Sequence, residues 1–427
     1  MRDQKNSGYW KVAGGVALFG LGVLCGLVLA TTPSKAQAGA NDAVYQRLGL
    51  FAKILNYVET NYVDPISHEQ LIYGAIKGML DSLDPHSVFL PPDVFKELKI
   101  NTTGEFQGLG LIIDYNADRK EGGFSVQSVL NGSPAAAMGI RRGDRLVRID
   151  GQDLDGRTLQ EVVRLLRGPV GSSVTLTMDG VEGRGLRDMV LVRAVVRFSS
   201  VESAAYPPVG YIRVKSFQNQ TAREVKKAVH QFMAPGSGTD QGIIIDLRDN
   251  PGGLLDEAVA IADIFLKDGP IVSVEGRNSL VSEQSNARPE DTFATVPVAL
   301  VVNGGSASAS EVLAGAMKDT SRAAIVGQRT YGKGSVQNII DLEDGSGLKL
   351  TVARYYTPRH RSIQGVGVEP DLEVPDPRDM LLPPDDVRQN LSPKLKAMLE
   401  KNPNAGLPKD DWPLQAAYTL VAGSQTK

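Results

Sequence analysis

The chain has 427 residues, of which 42% are apolar. At roughly 150 residues per domain that suggests two or three packed domains and excludes a disordered chain. Lys and Arg (46) nearly balance Asp and Glu (49), so no charge excess marks a nucleic-acid binder, and 45 glycines without a fixed period exclude collagen and point to tight turns.

Cys25 is the single cysteine, and the four histidines (His68, His86, His230, His360) have no metal-ligand spacing. An internal disulfide and a Cys-based zinc site are therefore excluded, no metal or cofactor is expected, and any catalytic chemistry is expected from other residue types.

In chain order, Arg2, Lys5 and Lys11 precede an uncharged, mostly apolar run over residues 12–30, followed by Ala36-Gln37-Ala38, a small-residue cleavage pattern. Nineteen residues just suffice to span a bilayer at ~1.5 Å each. Residues 1–40 thus read as a signal peptide or membrane anchor, with a buried core helix as the alternative that the basic flank disfavours. Residues 41–102 carry apolar side chains at helical spacing (Leu48, Phe51, Ile54, Leu55, Val58), broken at Asp64-Pro65, Asp84-Pro85 and Pro91-Pro92. They form a helical domain, a candidate for pairing with a second copy.

Over residues 103–195 the period changes to two. Strands are expected at 109–113, 124–129, 145–149 and 174–178, with an amphipathic helix at 158–167 that places Leu159, Val162, Val163 and Leu166 on one face. Over 196–375, strands at 209–214, 242–247 and 298–302 alternate with helices at 221–233, 255–265 and 309–318, the pattern of an α/β core with parallel pairing. Residues 376–427 form a Pro- and charge-rich tail with short helices at 392–400 and 412–421.

Three core segments can carry chemistry. Ile243-Ile244-Ile245-Asp246-Leu247-Arg248-Asp249-Asn250-Pro251-Gly252-Gly253 is a buried strand ending in a turn whose glycines let backbone N–H groups face outward. Gly305-Ser306-Ala307-Ser308-Ala309-Ser310-Glu311 puts a serine at a helix N-terminus, where it suits a nucleophile; the same Ser308…Glu311 spacing also reads as a capping box. The segment Gly327 to Gln337 nearly matches a phosphate loop, but Gly334 stands where a hydroxyl is required and a strand follows, so nucleotide binding is rejected. That strand would turn Lys333, Ser335 and Gln337 to one side, although a lysine in a loop is more often simply solvated.

Phe106-Gln107-Gly108-Leu109-Gly110-Leu111, Gly132-Ser133-Pro134-Ala135, Gly139-Ile140, Gly143-Asp144 and Ile149-Asp150-Gly151 together resemble a PDZ domain. The resemblance implies that Gly108, Leu109, Gly110 and Leu111 present backbone N–H groups to a peptide's terminal carboxylate, and that the peptide adds as a strand. Leu159 and Val162 would then suit apolar C-terminal residues. Singly, these glycines read only as turn formers.

With Asp84-Pro85-His86-Ser87, the run Thr351 to Pro358 and the run Ser362 to Asp371, the three core segments resemble the carboxy-terminal processing (tail-specific) serine endopeptidases. The resemblance implies an α/β fold: a crotonase-like α/β protease core with a PDZ β-module and N- and C-terminal helical segments. It places the nucleophile on Ser308, the general base on Lys333 and its support on Gln337. The oxyanion donors become the N–H of Ala309 and of Gly252 or Gly253. A lysine of ordinary pKa, about 10.4, is no base at neutral pH, so Lys333 must be shielded.

The expected partners are protein substrates with apolar C-terminal tails, an adaptor protein, a second copy of the chain, and a membrane through the N-terminal segment, in a bacterial periplasm or cell envelope. Arg167, at the end of the PDZ helix, is a candidate link between the PDZ domain and the core. One departure from the family pattern is His360 before Arg361, where a glycine is expected. A non-catalytic PDZ scaffold or chaperone is the rival from another class. A crotonase-like hydratase or hydrolase is a weaker one, since no coenzyme feature is present.

Overall fold

The computed structural model describes residues 35–115, 123–181, 185–277, 282–290, 292–379, 391–400 and 406–424. The apolar run 12–30 and Cys25 lie outside them. Among the described residues no helix is long and apolar enough to cross a membrane.

The chain divides into two compact units, residues 1–83 and 84–427. In the first, helices Lys35–Asn61 and His68–Asp81 are separated at the Asp64-Pro65 break. A capping box starts the second helix: the Gln70 N–H donates to Ser67 Oγ at 3.2 Å and the Ser67 N–H donates to Gln70 Oε1 at 3.4 Å. Tyr45, Leu48, Phe51 and Ile54 of the first helix are exposed.

In the second unit, strands Leu111–Tyr115, Phe124–Val129, Arg145–Ile149, Ser173–Gly180 and Gly185–Val192 form an antiparallel sheet in that order, with Leu111–Tyr115 at its edge. Alternate residues (Phe124, Val126, Leu146, Leu176, Met178) bury into one core with Val162 of helix Leu159–Leu166. The first strand starts two residues later than expected, because Gly110 takes φ +79 and turns the chain.

The sheet of the α/β core runs Val201–Tyr206, Val209–Val214, Gly242–Asp246, Val298–Val302, Ala324–Gly327, Leu372–Glu373. The first pair is antiparallel and the rest are parallel. Ile243 and Ile245 bury on one face, with helices Thr221–Phe232, Leu255–Phe265 and Ala309–Asp319. Ile244 buries on the other, with C-terminal helices Pro393–Glu400 and Trp412–Ala422. Cover on both faces is why this strand reads as a continuous apolar run. A second, antiparallel sheet centres on Gly347–Tyr356, which pairs with Val88–Leu90, Pro270–Gly276 and Ser335–Asp341.

Candidate active site

Strand Gly242–Asp246 delivers the first turn. Its base is Arg248, 2% exposed, whose guanidinium donates to Asp246 beside it and to Asp411 of the C-terminal tail at 2.7 and 2.9 Å. Asp376 accepts a further bond at 3.1 Å. A buried arginine is tolerable only with such full pairing. Two residues on, the buried Asn250 donates to the Val214 carbonyl at 2.8 Å and accepts the Gly252 N–H at 2.9 Å. The Gly252 N–H is therefore occupied, whereas that of the exposed Gly253 has no hydrogen-bond partner among the described residues.

Gly252 has φ +105, and a Cβ there would lie 2.8 Å from the Ala307 carbonyl oxygen, 2.9 Å from Ser308 Cβ and 3.0 Å from the Ala309 nitrogen. Only glycine lets the two turns approach this closely. Ser308 follows strand Val298–Val302 and opens helix Ala309–Asp319 with φ 55 and ψ −113. A non-glycine residue there is strained by about 1–3 kcal/mol, the sharp strand-to-helix geometry that aims a side chain outward. The alternative capping role is only partly filled. Glu311 accepts the Ser308 N–H at 2.9 Å, but its own N–H donates to the Ser308 carbonyl oxygen, and the hydroxyl makes no capping hydrogen bond of its own.

Glu311 joins two of the three segments. Fully buried, its carboxylate accepts the N–H of Ser308 at 2.9 Å, of Gly332 at 2.7 Å and of Lys333 at 2.7 Å, and the hydroxyl of Thr330. One charge thus fixes the serine turn to the lysine loop. Lys333 is half-buried, and burial holds its amine below the ordinary lysine value; the Lys349 cation pushes the same way and Glu311 opposes.

One expectation, the strand argument for the direction of Lys333, needs correction. The strand begins at Ser335, so Lys333 lies in the preceding loop and strand alternation does not set its direction. Gln337, which does share a face with Ser335, donates to Ser335 Oγ at 2.7 Å, and the Lys333 amine has no hydrogen-bond partner among the described residues.

The sequence also left His86 aside. Asp84 accepts the His86 and Ser87 N–H groups at 2.8 and 2.9 Å, and Thr351 of the central strand donates to Asp84 and to Ser87 Oγ. This staple sets His86 in the field of the site: burial and then Lys333 hold its imidazole below the ordinary value. The signal was the Asp84-Pro85-His86-Ser87 segment itself, a turn whose partners lie over 260 residues away in sequence. Where a glycine was expected, His360 adopts φ +57 and stacks on Tyr356 with ring centroids 4.7 Å apart, so the loop keeps a glycine-like bend.

In the β-module a cavity of about 260 Å³ lies beside the edge strand and the Gly108 to Leu111 backbone, lined by Ile100, Phe106, Val163, Leu166 and Phe198. Its helix residues are Val163 and Leu166. Of the two expected, Val162 turns fully into the core and Leu159 is 39% exposed and outside the cavity, because a helix rotates about 100° per residue. Arg167 lines this cavity and lies 3.8 Å from Glu97 of helix Pro92–Thr103.

Three family descriptions match the chain: peptidase family S41 over residues 208–374, PDZ domain over 125–178, and activating protease CtpB N-terminal domain over 28–93. A carboxy-terminal-processing protease of Bartonella bacilliformis is 36% identical over 423 residues, covering 96% of this chain and 96% of that protein. A carboxyl-terminal-processing protease of Synechocystis is 36% identical over 319 residues, covering 73% of each.

Proposed function

Because the chain belongs to the carboxy-terminal processing proteases of peptidase family S41, and is a serine endopeptidase with a PDZ domain, we propose that Ser308 is its nucleophile and Lys333 its general base. The observation that carries this reading is the Glu311 carboxylate, which binds the backbone of both residues at once. In the reaction the neutral Lys333 amine takes the Ser308 proton, and Oγ bonds to the scissile carbonyl carbon. The oxyanion forms against the N–H groups of Ala309 and Gly253, Gly252 being the residue whose lack of a side chain admits the approach. Lys333 then returns its proton to the departing amine, and water releases the acyl group. Gln337 supports the lysine once it exchanges Ser335 for the amine.

Substrate selection falls to the PDZ domain. Its open edge strand and apolar cavity suit an extended peptide with an apolar C-terminus, and Arg167 couples that groove to Glu97 beneath it. The exposed apolar side chains on helix Lys35–Asn61 suit a second copy of the chain, and residues 1–40 an export or anchoring role in a bacterial envelope. The test is cleavage of a protein with an apolar C-terminal tail, followed by intact mass. Wild type is expected to cut it while Ser308→Ala and Lys333→Ala do not. Equal cleavage by all three removes the dyad.

A further inference from the structure

We propose that Arg193 is a positioning residue for substrate selection: it joins the two walls of the PDZ groove at the end that takes a peptide's terminal carboxylate, and its cation supplies the positive field that favours that carboxylate. The inference rests on the PDZ domain being the tail reader. Arg193 lies between strands Gly185–Val192 and Ala194–Arg197 and is 8% exposed. Its Nε donates to the Leu166 carbonyl at 3.0 Å and Nη2 to the Leu165 carbonyl at 2.8 Å, the last two residues of helix Leu159–Leu166. Nη1 donates to Ser172 Oγ at 3.0 Å and to the Ser173 carbonyl at 3.2 Å. Leu166 lines the apolar cavity of the groove. From Arg193 the chain runs directly into strand Ala194–Arg197, which pairs antiparallel with Glu105–Gly108 and sets Ala194 opposite Gly108, the first residue of the carboxylate loop. The side chain thus fixes the helix wall and the backbone fixes the loop wall.

Charge accounting gives the arrangement its direction. The C-terminal carbonyls of a helix carry partial negative charge and would oppose a carboxylate arriving beside them. Arg193 covers two of those carbonyls. A buried arginine is ordinarily matched by a carboxylate, as Arg248 is by Asp246, Asp376 and Asp411. Among the described residues no carboxylate pairs with Arg193, and its four acceptors are neutral oxygens.

Its positive charge is therefore left over at this end of the groove, where the low-dielectric surroundings let it act on an anion beyond direct contact. Arg167, the other arginine here, is exposed and faces Glu97 at 3.8 Å, so part of its charge is already offset. A carboxylate gains from the Arg193 field and a neutral amide does not. Arg193 in this way lets the groove tell a free chain end from an internal loop of the same apolar sequence.

The test compares kcat/KM for two substrates of one sequence, with a free and with an amidated C-terminus, in the full-length enzyme. Arg193→Met should lower the free-to-amide ratio by about 5- to 30-fold, the range of a partly buried charge at a helix terminus, with the loss in KM. Arg193→Lys keeps the cation and should hold the ratio within about threefold of wild type. A merely structural role would lower both substrates by the same factor and leave the ratio alone. Gly168→Ala is the second probe, because its Cβ would lie 2.9 Å from Arg193 Nε and 3.1 Å from Cζ and must push the guanidinium off its acceptors. A ratio lower by about 2- to 5-fold is expected there, and this variant decides the matter if Arg193→Met does not fold. An unchanged ratio in folded Arg193→Met, or in Gly168→Ala where it stands in, would overturn the proposal. If wild type itself cuts both substrates equally, the tail-reading role fails first and the proposal with it; if wild type discriminates and the variants do so equally, only the role of Arg193 fails.

Discussion

Glu311→Gln is the perturbation that most directly loads the joint between the serine and lysine loops. The native carboxylate accepts from four donors: the N–H of Ser308, Gly332 and Lys333 and the Thr330 hydroxyl. A glutamine has one oxygen, so its amide nitrogen must face two of these donors with no lone pair to offer. Two hydrogen bonds to a charged group, at about 1.5–3 kcal/mol each, total roughly 3–6 kcal/mol of lost or opposed interaction at a fully buried site. Some of that loss appears in stability; at about 2–4 °C per kcal/mol for a domain of this size, the whole of it would lower Tm by roughly 6–24 °C, and a smaller, measurable fall is expected. The rest appears as displacement of Ser308 relative to Lys333, where an error of about 1 Å costs on the order of 100-fold in rate. Thermal denaturation and single-turnover cleavage measure the two parts. A Glu311→Gln enzyme with wild-type Tm and wild-type kcat would refute the reasoning.

Three further outcomes follow from the same geometry. Gly252→Ala places a Cβ 2.8 Å from the Ala307 oxygen and 3.0 Å from the Ala309 nitrogen, at φ +105; displacement of that amide should lower kcat by about 10²–10³-fold, as loss of an oxyanion donor does, and kcat within twofold of wild type would contradict it. Lys349→Met removes a cation that holds Lys333 below its ordinary value. Since the neutral amine is the active form, the rate rises with pH through the Lys333 pKa, and in this variant the rising limb of kcat/KM should move to higher pH; a limb that stays put or moves down would count against the coupling. Amidating the C-terminal carboxylate of a substrate should weaken its capture beside Gly108 to Leu111, read as a raised KM, while unchanged KM would remove the tail-reading role.

Much of this was legible because the signals are local. Residues 124–129, 145–149, 209–214 and 298–302 alternate or run apolar within one strand, and the structure has strands with those bounds. Helix Leu255–Phe265 likewise follows its own periodicity. The Ser308 and Gly252–Gly253 turns were visible because glycines and a helix start surround them. What sequence could not supply depends on distant partners. Whether Gly252 or Gly253 has a free amide is decided by Asn250, whose side chain reaches Gly252 only after Val214 has anchored it. The direction of Lys333 failed as a strand argument because the strand starts two residues later, and Glu311 fixes the lysine backbone instead. The ties of Arg248 to Asp411 and of Ser87 to Thr351 span 163 and 264 residues, and no short-range pattern encodes them. His360 holds the left-handed bend of a glycine, so the missing residue type concealed a conformation that the fold retained.

The central claim is that Ser308, activated by Lys333, becomes covalently acylated. Its most direct test is rapid acid quenching during turnover of a peptide ester, followed by intact-protein mass and peptide mapping. The account predicts an acyl adduct on the peptide containing Ser308 in wild type and none in Lys333→Ala. Turnover with the adduct on another residue, or an undiminished Ser308 adduct in Lys333→Ala, would contradict it.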